Sequence, residues 1–388
     1  MDNPYDTPDK YVVSSSMFSI YDDDNLLEVR RYNKCFYIKV APEYLEDSPA
    51  LKHEYLRFLK AERAEAVSDG SVDLEDFYDW ALTPCLQLFK DNAPEPEQKL
   101  VKLSLHDYYH PETFHYRLHA VADKIIPVVN PKADYFLPPG VSLDPSILHP
   151  SWPIYTDSEV FLDITKPSQA MCPSPSIVVV RNSHDKRVKC FFKSCNDGDI
   201  NRAVREVENH RKLTEANLAP DVRVCRVQGV VKDDWDRVMG LLLSYIDCGY
   251  VNLACAVYGD TRDGLKHKWV EQVKETLAQL HGAGLVWGDA TPDNVLIGKS
   301  DGGDEDAETE EAEKGDAEIG DAEYWDPENK DAWLVDFGGG YTQGFVDKDI
   351  AGTVEGDLQG LDNIIKYVFE GQEDGGEEKE SLHQDILS

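Results

Sequence analysis

The chain has 388 residues, of which 41% are hydrophobic, so it is long enough for about two or three domains with buried cores. Its 74 acidic and 39 basic residues give a net charge of −35, which disfavours nonspecific binding to nucleic acid or to an anionic membrane. The first residues, MDNPYDTPDK, lack the apolar core of a signal peptide, and no apolar run approaches the ~20 residues of a membrane span. The eight cysteines form no CxxC pair. We therefore expect free thiols and a location in the cytoplasm or the nucleus.

The first 150 residues mix strand and helix patterns. The apolar runs YVVSSSMFSIY and LLEVRRYNKCFYIKV flank the turn DDDN and predict a hairpin. Residues 50–68 and 73–90 are predicted to be helical, and DNAPEPEQ predicts a loop after them. We assign residues 1–150 to a mixed α/β region of unknown role, for which docking of a substrate, docking of a partner and covering of the following region are the alternatives.

A proline-rich stretch, residues 127–175, is predicted to be an extended connector with one short strand, EVFLDI. Beyond it, SIVVVRN and RVKCFFKS predict two strands joined by a polar turn, and residues 200–213 predict a helix. VRVCRVQGVV and RVMGLLLSYI predict a second hairpin. Residues 151–249 therefore form a predicted region of strands with one helix.

Residues 250–370 are predicted to be mostly helical. One apolar stripe at helical spacing comprises Trp269, Val270, Val273, Leu277 and Leu280. That helix is predicted to end at His281-Gly282, and a last helix starts at about Asp357. Between them the acidic residues 299–331 predict a disordered insert, and residues 371–388 predict an acidic, disordered tail.

Two short motifs carry oxygen ligands. In GLVWGDATPDNVLI, Asp289 and Asn294 stand five positions apart on a turn between two apolar runs, LVW and VLI, which are predicted to be short buried strands. In WLVDFGGG, Asp336 follows another apolar run. Carboxylate and amide oxygens are the ligands that Mg²⁺ prefers in proteins. The first motif is therefore either a solvated turn or a set of positioned oxygen ligands.

Three further residues stand in a set order around these motifs. Lys193 ends the strand RVKCFFK, and Glu206 follows on the next predicted helix, with Glu208 as a rival on a different face. Asp357 opens the last helix. Taken in chain order, Lys193, Glu206, the D-x-x-x-x-N turn, the DFG run and Asp357 resemble the protein-kinase superfamily over roughly residues 159–369.

The resemblance implies an α+β, two-lobed protein-kinase-like fold, with residues 151–249 as the first lobe and residues 250–370 as a shortened second lobe, after the extra N-terminal α/β region. It implies that Lys193 holds the phosphates of ATP and that Glu206 positions Lys193. Asp289 would accept the proton of the substrate hydroxyl, while Asn294 and Asp336 would bind Mg²⁺.

The resemblance also implies nucleotide contacts from Leu243, Tyr245 and Gly338. The aspartate at the start of the last helix, Asp357, would brace the catalytic turn by hydrogen bonds.

The sequence departs from the family in several places. Trp287-Gly288 replaces the His-Arg pair, and a glycine before the aspartate is similar to small-molecule kinases of the aminoglycoside/choline type. Thr291 stands where many protein kinases have a lysine, and no G-x-G-x-x-G precedes Lys193. Only 357 − 336 = 21 positions separate the DFG aspartate from Asp357, and no A-P-E motif is present. The chain as a whole is similar to minimal kinase-like proteins of filamentous fungi.

The function predicted from the resemblance is transfer of the γ-phosphoryl group of ATP, with Mg²⁺, to a hydroxyl of a protein or small molecule. Two alternatives stay open. The missing glycine loop and the short second lobe favour a pseudokinase that binds nucleotide weakly or not at all and acts as an interaction scaffold. The altered phosphate loop is also compatible with nucleotidyl transfer.

Overall fold

A computed structural model describes residues 11–19, 21–63, 73–96, 102–132, 136–196, 198, 200–259, 261–300 and 326–370. They form two compact units, residues 11–138 with 161–175, and residues 139–160 with 176–370. Both units combine helices with β-sheet, which confirms the α+β class. The tail at 371–388 and residues 301–325 of the predicted insert lie outside the described residues. No helix within the described ranges has the length and apolarity that a bilayer crossing requires.

The first unit is built on a five-stranded sheet. Its strands, in their order across the sheet, are β1 (Val12–Phe18), β2 (Asn25–Arg31), β3 (Lys34–Val40), β4 (Glu112–Val121) and β5 (Lys124–Val129). Neighbours are antiparallel except β3 and β4, which are parallel. The predicted hairpin is confirmed, but its second run is two strands, because Tyr32, with φ +52°, begins a tight turn.

Along the chain, the described residues between β3 and β4 form four α-helices of the first unit. They are α1 (Pro49–Glu62), α2 (Leu74–Leu82), α3 (Leu86–Asn92) and α4 (Leu105–Tyr109). The predicted helix over 73–90 is interrupted by a 3₁₀ turn at Thr83–Cys85, since Pro84 has no N–H to donate. One shared core contains Phe36 and Ile38 of the sheet with Tyr55, Phe77 and Phe89 of the helices.

The second unit begins with a sheet that carries the two predicted strand pairs. The proline-rich stretch contributes β6 (Ile154–Thr156) to this unit and β7 (Phe161–Leu162) to the first. The following strands are β8 (Ile177–Arg181), β9 (Arg187–Ser194), β10 (Val227–Lys232) and β11 (Val238–Ser244). The order β6-β10-β11-β9-β8 confirms both hairpins, with β6 parallel to β10. The predicted helix after β9 is α5 (Ile200–Glu215), which buries Val207 and Leu213.

The rest of the second unit is mostly helical. It comprises β12 (Ile246–Asp247), α6 (Leu253–Ala256), α7 (Asp263–Gly282), β13 (Val295–Ser300), β14 (Asp331–Leu334) and α8 (Val354–Glu370), and β12-β13-β14 form an antiparallel sheet. Helix α7 ends at the predicted glycine, and α8 begins three residues before the predicted start. VLI lies in β13 as predicted, but the prediction of a strand at LVW, residues 285–287, is wrong. Backbone N–H groups there donate elsewhere: Leu285 to the Leu280 carbonyl and Trp287 to the Asp357 carboxylate.

Two fully buried tryptophans connect the helical part to β14. Trp269 of α7 donates its indole N–H to the Lys330 carbonyl at 3.1 Å, just before the strand begins. Trp287 donates its own to the Val335 carbonyl at 2.8 Å, just after the strand ends. Each indole thus buries a large apolar surface while its polar group is satisfied. Together they fix the backbone that leads into Asp336.

Candidate functional site

Lys193 joins three segments of the second unit. Its Nζ lies 2.8 Å from Oε2 of Glu206 on α5 and 2.8 Å from Oδ1 of Asp336 after β14. Lys193 is held in β9, where it is paired with Leu241 of β11. Its side chain is 24% exposed, so solvent reaches this cluster. Three of the predicted site residues are therefore brought together.

Glu206 is held on both sides of its carboxylate. Oε2 contacts Lys193, and Oε1 lies 3.0 Å from Nε2 of His210, one turn further along α5. Burial acts to raise the pKa of Glu206, but the hydrogen bond from His210 and the charge of Lys193 outweigh it, so the pKa falls below its usual value. The pairing selects Glu206 over Glu208. Sequence reasoning missed His210, although its i, i+4 spacing from Glu206 was visible.

Asp336 has a backbone conformation that is rare for a residue with a side chain, φ +58°. Its Oδ1 accepts hydrogen bonds from Lys193 Nζ and from the Gly338 N–H at 3.1 Å, and its Oδ2 lies 3.3 Å from Nη2 of Arg202. Burial acts to raise the pKa of Asp336, but these three donors lower it overall. Asp336 is therefore an ionised carboxylate on a strained backbone, and such strain is concentrated at functional sites.

Side chains of helix α5 also form hydrogen bonds with the backbone that follows Asp336. Asn209 donates its amide to the Phe337 carbonyl at 2.7 Å, and Arg205 donates Nε to the Gly338 carbonyl at 3.3 Å. The buried Phe337 ring meets the His210 ring edge to face, with centroids 5.6 Å apart. A shift of α5 would therefore move Glu206 and Asp336 together.

Gly338 leaves no room for a side chain. A Cβ atom there would lie 2.5 Å from Oε2 of Glu206 and 3.2 Å from Oδ1 of Asp336. We expect Gly338→Ala to lower the free energy of unfolding by about 1–3 kcal/mol, because the paired carboxylates must move. Urea denaturation measures this, with Gly264→Ala in α7, where a Cβ meets nothing within 4 Å, as the control. A Gly338→Ala variant as stable as this control would contradict the packing described.

The turn before β13 is braced by Asp357 of α8. The buried Asp357 carboxylate accepts the N–H groups of Trp287 and Gly288, both at 2.8 Å, which confirms the predicted bracing. Its Oδ2 also lies 2.9 Å from Nε2 of His281, a partner that sequence reasoning missed. Gly288 has φ +101°, a conformation that favours glycine. The backbone on which Asp289 stands is therefore fixed from α8.

Asp289 keeps one carboxylate oxygen without a partner. Thr342 donates its hydroxyl to Oδ2 at 3.3 Å, whereas Oδ1 is buried and has no hydrogen-bond partner among the described residues. Burial raises the pKa of Asp289, and the charge of Asp336 adds to the rise, against the hydrogen bond from Thr342. Most buried polar atoms have a hydrogen-bond partner, so Oδ1 retains the capacity to accept one. Asp289 is thus a stronger base than an ordinary aspartate, and Oδ1 is oriented to accept a donor.

The other polar residues of this turn have different roles. The side-chain amide of Asn294 donates an N–H to the backbone carbonyl of Asp289 at 3.0 Å. The backbone carbonyl of Asn294 accepts the Val335 N–H at 3.0 Å. Because the amide nitrogen is used internally, Oδ1 is the end of Asn294 that suits a hard cation. Amide and carboxylate oxygens are ligand types that Mg²⁺ prefers, and the role of Asn294 and Asp336 as Mg²⁺ ligands stays a prediction. Asp293 instead accepts the Asn252 amide at 2.9 Å, which is a structural contact.

Two of the predicted nucleotide contacts, Leu243 and Tyr245, are in or directly after β11, the strand that pairs with the Lys193 strand β9. Leu243 is two residues from Leu241, the ladder partner of Lys193, so it is on the same face of the sheet. Leu243 is buried in the core of the unit. Tyr245 follows β11 and is half-buried, with Nζ of Lys189 4.4 Å from its ring centroid. Their contact with a nucleotide stays a prediction.

No protein-family model matches the chain, and no curated protein matches it in sequence. The assignment of a function to these residues therefore depends on their geometry and chemistry.

Proposed function

We propose that the second unit is an ATP- and Mg²⁺-dependent phosphotransferase with a protein-kinase-like, two-lobed fold, in which residues 250–370 form a shortened second lobe. It transfers the γ-phosphoryl group of ATP to a hydroxyl of a protein or a small molecule. One observation carries the proposal: Lys193 lies 2.8 Å from both Glu206 and Asp336, which come from a helix and from the DFG run. Protein kinases use an ion pair between a strand lysine and a helix glutamate, together with a metal-binding aspartate from the DFG run.

Lys193 would bind the phosphates of ATP. Burial acts to lower its pKa, but Glu206 and Asp336 raise the pKa overall, so the ammonium group stays charged. Glu206, fixed by His210, holds this ammonium on the sheet. Leu243, Tyr245 and the backbone at Gly338 would provide further contacts to the nucleotide.

Asp289 would act as the general base. As the acceptor oxygen forms a bond to the γ-phosphorus, its proton passes to Asp289, and the bond from the γ-phosphorus to the bridging oxygen breaks, so that ADP leaves with that electron pair. The raised pKa of Asp289, caused mainly by burial, supports this role, because it makes the carboxylate a better proton acceptor. Asn294 and Asp336 would hold Mg²⁺, which offsets the negative charge of the phosphates when bound.

The alternative is a nucleotide-binding or inactive pseudokinase that acts as an interaction scaffold, with partner docking on the first unit. One observation favours it. Both oxygens of Asp336 are already paired with cations of the protein, Lys193 and Arg202, so its charge is compensated without a metal. Retention of Asp289 with a raised pKa and an unpaired oxygen favours phosphotransfer instead, because a scaffold does not need a base.

Thermal unfolding with ATP, ADP or GTP, each with and without Mg²⁺, tests the proposal. A ligand that binds only the folded state stabilises it by about 2.7 kcal/mol at 100 times its Kd. We expect ATP with Mg²⁺ to raise Tm, and ADP release to follow when hydroxyl acceptors are added. If no nucleotide at millimolar concentration changes Tm, phosphotransfer is contradicted and the scaffold function is favoured.

A further inference from the structure

The proposed site has few positive charges for a polyphosphate. Lys193 is shared between two carboxylates, and Asp289 adds a third nearby. Thr291, at the position where many protein kinases have a lysine, is neutral and only 1% exposed. No glycine occurs between Phe161 and Ser194, so a glycine-rich backbone loop cannot compensate. ATP carries several negative charges, so a further cation of the protein would add to the positive charge that Lys193 and Mg²⁺ supply.

Arg202 is placed to supply that charge. It stands one turn before Glu206 on α5, and its Nη2 lies 3.3 Å from Oδ2 of Asp336. A Cβ on Gly338 would lie 3.5 Å from its Nε, so the guanidinium covers the backbone after Asp336. Its charge also reaches Asp289, where it opposes the rise in pKa that burial causes. Arg202 therefore faces both carboxylates to which the proposal assigns chemistry.

The contact between Arg202 and Asp336 is loose enough to be exchanged. Charge-assisted N–H···O contacts are typically 2.7–2.9 Å long, and this one is 3.3 Å. The Arg202 side chain is 54% exposed, so much of its surface is in contact with solvent rather than with the core. A guanidinium also matches the geometry of two phosphate oxygens better than an ammonium does.

We infer that Arg202 is a phosphate-binding residue, which leaves Asp336 for the terminal phosphates of ATP and supplies the positive charge that the Thr291 position lacks. This inference rests on the proposed function. When Arg202 moves from Asp336 to the phosphates, it also leaves Oδ2 of Asp336, the predicted metal ligand, without a competing cation.

Titration calorimetry of ATP with Mg²⁺, and of AMP, tests this role in the wild type, Arg202→Gln and Arg202→Lys. Loss of a hydrogen bond to a charged group predicts that Arg202→Gln weakens ATP binding by about tenfold to a hundredfold. AMP binding should stay within about twofold of wild type, because AMP lacks the terminal phosphates. The ATP affinity of Arg202→Lys should lie between those of the wild type and Arg202→Gln, since lysine keeps the positive charge but lacks the paired N–H donors of the guanidinium. The control Lys212→Gln removes one charge from the exposed, far end of α5 and should change the binding of neither ATP nor AMP.

The outcomes separate the two proposals. If the wild type binds no nucleotide, both the function and the role of Arg202 are overturned. If the wild type binds ATP and Arg202→Gln binds it equally well, the role of Arg202 alone is overturned. Tighter ATP binding by Arg202→Gln would also overturn it, because Arg202 would then be only a competitor of the metal. A loss of ATP and AMP binding together would indicate a structural role instead.

Discussion

Replacement of Asp289 by asparagine is expected to lower turnover by about 10²–10⁴-fold, the usual contribution of a general base. Binding of ATP with Mg²⁺ should be retained, because Lys193, Asn294 and Asp336 are unchanged. The reason is chemical: the asparagine amide keeps the shape of the side chain but cannot take the proton of the acceptor hydroxyl. ADP release in the presence of hydroxyl acceptors measures the rate, and Asp349→Asn on an exposed loop is the matched control.

The pH dependence gives this prediction a second readout. Because burial raises the pKa of Asp289, the wild-type rate should fall on acidification at a pH above the ordinary aspartate range of about 3.9. The asparagine variant should lack this acid limb. A raised folded-state pKa means that the ionised form disfavours the folded protein at neutral pH. Asp289→Asn should therefore be at least as stable as wild type at pH 7. If it loses ATP binding as completely as Asp336→Asn, Asp289 is a ligand or structural residue, not a base.

Asp357→Ala is expected to lower the free energy of unfolding by about 3–5 kcal/mol, because it leaves two buried N–H groups without an acceptor. The carboxylate is 1% exposed and accepts from Trp287 and Gly288, with His281 as its third neighbour. Water cannot readily replace an acceptor at so buried a position. The loss should also loosen the turn that carries Asp289.

Urea denaturation measures this loss, and two variants provide the comparison. Asp357→Asn keeps one acceptor oxygen and should be destabilised less than Asp357→Ala. Asp362→Ala removes an exposed carboxylate from the same helix and should stay within about 0.5 kcal/mol of wild type. Equal stability of Asp357→Ala and Asp362→Ala would show that the Asp357 hydrogen bonds do not support the turn.

The predictions from sequence succeeded where a local pattern determines the structure. Alternating apolar runs around short polar turns predicted the pairs β8–β9 and β10–β11, since both strands and their turn are contiguous. The resemblance to protein kinases predicted that Glu206 pairs with Lys193 and that Asp336 belongs to the same site, although Asp336 is 143 residues from Lys193.

The failures concern contacts that no local pattern encodes. LVW has the composition of a strand, but its N–H groups donate to a distant carboxylate and to the end of α7. The parallel pair β3–β4 joins Lys34 to Glu112, which are 78 residues apart in the chain, with helices α1 to α4 between the two strands. Arg202 and Thr342 resemble ordinary surface or helix residues in sequence, and only the folded backbone brings them to Asp336 and Asp289.

The most direct test of the proposed phosphotransfer site is calorimetric titration of ATP into wild type and Asp336→Asn, each with and without Mg²⁺. Asp336 is expected to be the main metal ligand, and its carboxylate also contacts Lys193. We predict that the wild type binds ATP in a Mg²⁺-dependent manner and that Asp336→Asn loses the metal dependence and most of the affinity. Binding that is equal in the two proteins, or that is unaffected by Mg²⁺ in the wild type, would contradict a metal-nucleotide site at Lys193, Glu206 and Asp336.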